Sequence, residues 1–97
     1  MKIKNNEYKK MLKTINIEML NQFNQLVDTH QNALNIWHYE NGKNDIKEVQ
    51  IGNVYFYTLT NDDFDIIEFG IDRGHTLEFF GSQDFVDEFI NQLAKHI

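Results

Sequence analysis

The chain has no cysteine and no proline, and only one arginine and one serine among its 97 residues. Without cysteine there is no disulfide framework, no thiolate metal ligand and no thiol nucleophile. Without proline no helix is interrupted from within. Glycine is sparse: Gly42, Gly52, Gly70, Gly74 and Gly81 stand apart, so no glycine-rich phosphate loop exists. No run approaches the roughly 20 apolar residues that span a bilayer. The basic start, Met1 to Asn6, is not followed by an apolar stretch. No signal peptide is therefore expected, and the expected location is cytoplasmic, with no membrane association.

What is present is an ordinary globular composition, with 41% hydrophobic and 25% charged residues. The length fits a single domain over residues 1–97. The formal net charge is −6, and it is unevenly spread. Residues 1–13 hold five lysines against one acid, whereas residues 61–88 hold nine acids against Arg73 alone. Such a field repels nucleic acid and attracts basic partners.

Periodicity divides the chain in three. Residues 6–31 predict a helix, because Tyr8, Met11, Leu12, Ile15, Met19, Phe23, Leu26, Val27 and His30 recur at steps of three and four. From Ala33 the period becomes two and turn residues become frequent. Strands are expected at 33–40, 45–51, 54–60, 64–71 and 75–80. Asn41-Gly42 is a strong hairpin signal of the type I′ kind, and Gly52-Asn53 marks a turn or a bulge. A second helix follows Ser82, a good N-cap, with Phe85, Val86, Phe89, Ile90, Leu93, Ala94 and Ile97 as its apolar stripe. The fold class is thus α+β, an antiparallel meander of about five strands in the order α-β-β-β-β-β-α.

Several strands carry apolar residues on both faces, as in Val54 and Phe56 against Tyr55, Tyr57 and Leu59. The expected explanation is one helix on each face, or a strongly curled sheet. The alternative is one face that meets a partner. Gly70, inside a strand pattern, marks a bulge or a close backbone approach.

The candidate chemistry is thin. Counted from Asn61, the acidic stretch imitates a calcium loop, but its sixth position is Ile66, where that loop requires glycine. His75 follows Asp72 across a turn, yet no nucleophile accompanies the pair. His30, near the end of the first helix, reads as a C-terminal cap. Lys2, Lys9 and Lys13 read as a solvated helix face. No enzyme activity, metal or cofactor is expected.

Two groups of residues remain as candidates for partner binding. Trp37, Tyr39, Tyr55 and Tyr57 stand on neighbouring strands and are of the types enriched at binding anchors. Asp62, Asp63, Asp65, Glu68 and Glu78 follow on the next strands and their turn, where arrayed carboxylates imitate phosphates. The expectation is a non-catalytic protein-binding module. It would be an inhibitor or antagonist whose acidic surface engages a basic, nucleic-acid-handling protein, of the anti-CRISPR or DNA-mimic type and of phage or other mobile-element origin. The alternatives are an immunity or antitoxin-like protein that neutralises a basic toxin, and a structural homodimer. Direct nucleic-acid binding is not expected.

Overall fold

The computed structural model describes residues 5–65 and 67–97. Lys2 and Lys4 of the basic run, and Ile66, lie outside the described residues. The order of elements is α1 (Asn5–Thr29), β1 (Asn35–Asn41), β2 (Asn44–Ile51), β3 (Val54–Asn61), β4 (Ile67–Asp72), β5 (Leu77–Phe79) and α2 (Ser82–His96). The strands form one five-stranded sheet in the order β1-β2-β3-β4-β5, every neighbouring pair antiparallel. The α+β meander expected from the sequence is therefore the fold.

Local departures from expectation have local causes. Helix α1 ends at Thr29 because the His30 amide is shared between the carbonyls of Leu26 and Val27, at 3.2 Å each. That tightening leads into a 3-10 turn at Gln31–Ala33. The His30 ring does cap the helix: its Nδ1–H donates to the Leu26 carbonyl at 2.8 Å.

The first hairpin turns at Gly42-Lys43, one residue later than Asn41-Gly42, since Asn41 pairs with Asn44. Only Gly42 has positive φ, at 63°, which is the type II′ pattern and not type I′. Strand β4 begins at Ile67 and not at 64, because Phe64 is held in the left-handed region at φ 57° and its amide donates to the Asn61 carbonyl. At the second helix Gly81, and not Ser82, is the N-cap; its extended backbone lets its carbonyl accept the Phe85 amide at 3.0 Å. Ser82 is the first helical residue and is buried.

The core lies on one side of the sheet. Val49 and Ile51 of β2, Phe56 of β3, and Phe69 and Ile71 of β4 are buried there with Leu20, Phe23 and Val27 of α1 and Phe85, Val86, Phe89 and Leu93 of α2. Phe23 meets the rings of Phe85 and Phe89 at 4.9 Å and 4.8 Å, and Phe56 meets the same two rings at 5.6 Å and 4.9 Å. These edge-on contacts fix both helices over the same face. The arrangement with one helix on each face is thus overturned. The physical reason is that the largest apolar side chains of both helices and of the strand positions in register with Phe56 interdigitate in one layer.

Polar ties hold the periphery. Half-buried Lys47 donates from Nζ to Asn24 Oδ1 at 2.9 Å, joining β2 to α1. Lys13 pairs with Asp65 at 3.1 Å, and Arg73 pairs with Glu88 at 3.1 Å.

Candidate functional site

Directly paired residues of an antiparallel sheet point to the same face. Three rows of the register therefore define what stands on the side away from the helices. One row runs Trp37, Glu48, Tyr57, Gly70, Phe79. A second runs Asn35, Gln50, Tyr55, Asp72, Leu77. A third runs Tyr39, Ile46, Leu59, Glu68. No described helix residue packs on this face with the core cluster, so the side chains stand uncovered. Phe79 is 63% exposed, Tyr39 50% and Trp37 37%. Large rings are thus exposed together on one face of the sheet.

The four aromatics singled out in the sequence are all here. The Trp37 and Tyr55 rings lie 6.2 Å apart, tilted by 32°. Tyr55 and Tyr57 stand two residues apart on β3, the central strand. Between them and their neighbours opens a shallow cavity of about 290 Å³ lined by Glu48, Tyr55, Tyr57, Asp72 and Leu77. Gly70 explains part of its shape. A Cβ at that position would lie 2.8 Å from Leu77 Cδ1 and 3.3 Å from Tyr57 Cδ1. Gly70 thus serves close approach of side chains and stays in register with both neighbours, so it is not a bulge.

The charge on this face has one sign. Glu48, Glu68 and Asp72 occupy strand positions on it, and no lysine or arginine does. Among the described residues these three carboxylates form no ion pair. One Asp72 oxygen accepts the Gly74 amide at 2.7 Å. The Tyr57 hydroxyl is pushed above the ordinary tyrosine range, first by burial and then by the fields of Glu68 and Glu48.

The five carboxylates expected to act together are separated. Asp62 and Asp63 are exposed in the turn after β3. Asp65 is paired with Lys13 of α1. Glu68 stands on the uncovered face, whereas Glu78 is in register with Ile71 and so points to the helix side. The sequence reading missed Glu48, Asp72, Leu77 and Phe79 as members of the site. Their signal was available in the alternation of the strands, but only the pairing register puts them beside the aromatics.

His75 is exposed, and the Asp72 carboxylate is turned to the Gly74 amide. His38 and Asp45 are joined across the first hairpin, both exposed. Among the described residues no group of three or more histidine, aspartate or glutamate side chains is placed to hold a metal ion. No described helix is long and apolar enough to cross a membrane.

Comparison of the chain with protein-family models, characterised proteins and solved structures returns no match.

Proposed function

We propose that this chain is a non-catalytic protein-binding module that captures a basic protein through the uncovered face of its sheet. The observation that carries this reading is the composition of that face: exposed Trp37, Tyr39, Leu77 and Phe79 beside Glu48, Glu68 and Asp72, with no base among its strand positions. Aromatic side chains supply buried area at small entropic cost, and unpaired carboxylates supply orientation and a steered encounter. A nucleic-acid-handling protein is the partner class that best matches such charge, and inhibition of it is the corresponding role. The anti-CRISPR and DNA-mimic forms of that role rest on the acidic character alone. They draw less support from the carboxylates of residues 62–78, which are divided between the turn and both faces of the sheet.

The test is capture from the native host lysate at low salt by three baits in parallel: the unaltered chain, a Trp37→Ala/Tyr57→Ala variant, and Met11→Gln on exposed α1. A basic protein held by the first and third baits, released by salt and lost from the second, is the expected result. Retention of that protein by the Trp37→Ala/Tyr57→Ala bait overturns the assignment to this face.

A further inference from the structure

The cavity on the uncovered face has the chemistry of an arginine receptor, and we propose that it takes an arginine side chain of the partner. This rests on the reading of that face as a protein-binding surface and names what the surface recognises. Tyr55 and Tyr57 project from β3, and a carboxylate flanks each: Glu48 of β2 is in register with Tyr57, and Asp72 of β4 with Tyr55. Leu77 closes one side, leaning over Gly70 where any Cβ would displace it. The cavity of about 290 Å³ is therefore bounded by two phenol rings, two acids from opposite sides and one aliphatic side chain.

A cation is the complement of those walls, and its shape decides which cation. A guanidinium is planar, so it stacks on a tyrosine ring, and its fork of donors reaches carboxylates on two sides at once. An ammonium is a compact, strongly hydrated point that satisfies one acid and loses more hydration. The aliphatic stem of arginine has Leu77 to lie against. Among the described residues no arginine or lysine lines the cavity. The single arginine, Arg73, is engaged with Glu88 of α2; Lys47 points to Asn24 on the helix side, Lys13 pairs with Asp65, and Lys43, in the turn between β1 and β2, is not among the residues that line the cavity. A second copy of this chain meeting face to face would bring Glu48, Glu68 and Asp72 against their own kind, so the occupant is a different, basic protein.

The experiment is a titration of the full chain with N-acetylarginine amide, followed by NMR on the Leu77 methyls and the Tyr55 and Tyr57 rings. N-acetylcitrulline amide, which keeps the shape and lacks the charge, and N-acetyllysine amide serve as comparison probes. Saturable shifts at these three residues with arginine are expected, with no saturation by citrulline and binding by lysine weaker by about threefold or more. Glu48→Gln should weaken arginine by about threefold to tenfold while leaving the backbone spectrum of the core unchanged. Equal response to citrulline, stronger response to lysine, or an unchanged affinity in Glu48→Gln overturns the arginine assignment. Failure here is distinguishable from failure of the parent reading. If the titration is blank but a captured protein is still lost on Trp37→Ala/Tyr57→Ala, the face binds protein and the arginine pocket is wrong.

Discussion

Tyr57 concentrates the properties of the uncovered face in one side chain. Its ring is half-buried between Glu48 and Gly70, and its hydroxyl is held above the ordinary tyrosine value by that burial and by Glu68 and Glu48. A raised pKa means that the folded protein holds this proton where the unfolded chain has begun to lose it. The associated stability is complete below about pH 10, the unfolded tyrosine value, and is lost as pH rises through the higher folded value. Denaturant unfolding at a series of alkaline pH values should show this decline, and Tyr57→Phe should flatten it. An unchanged slope in Tyr57→Phe would mean that other groups carry the alkaline sensitivity. The tyrosine was legible in the sequence as a strand aromatic. Its perturbation was not, because Glu48 and Glu68 reach it only through the pairing of β2 and β4 with β3.

Helix α1 illustrates how an element is divided by what it packs against. Its 25 residues span about 37 Å, whereas a strand of seven or eight residues spans roughly 25 Å. The apolar stripe is continuous in sequence, but only its second half finds a core. Phe23 and Val27 are fully buried, while Tyr8 and Met11 are 56% and 55% exposed. The energetic contrast should be large. Phe23→Ala removes a ring that contacts Phe85 and Phe89 and should cost about 3–5 kcal/mol. Met11→Gln should stay within about 0.5 kcal/mol, as for other exposed positions. Guanidinium unfolding of the two variants checks both values. Periodicity predicted the helix and placed Phe23 and Val27 on its buried face, but it left out Leu20, which is also buried. It had no access to where the sheet stops beneath that face.

At the scale of the whole molecule, the decisive feature is that both helices lie on one side of the sheet. The strands are amphipathic on the side left bare, where rings with polar tips and carboxylates tolerate water better than the phenylalanines facing the helices. The negative charge spread over that side also sets its self-association. Two copies brought together there would oppose Glu48, Glu68 and Asp72 to the same residues. Sedimentation at micromolar concentration and low salt should therefore be unaffected by Trp37→Asp. A dimer that this substitution dissolves would show that the chain covers its own sheet.

The order of elements and the antiparallel meander were determined by the sequence itself. They depend on local quantities: a period of three and four in residues 8–30, a period of two in the strands, and turn residues at Gly42, Gly52 and Gly74 whose φ values of 63°, 57° and 103° only glycine adopts readily. The side on which the second helix returns was decided only by the tertiary structure. Alternation states which residues share a face, but not which face is inside. That choice follows from the fit of Phe23, Phe85 and Phe89 against Phe56. It is the same choice that leaves Trp37, Tyr39, Tyr55 and Tyr57 together on the open side, with Glu48 and Asp72 from the adjoining strands beside them.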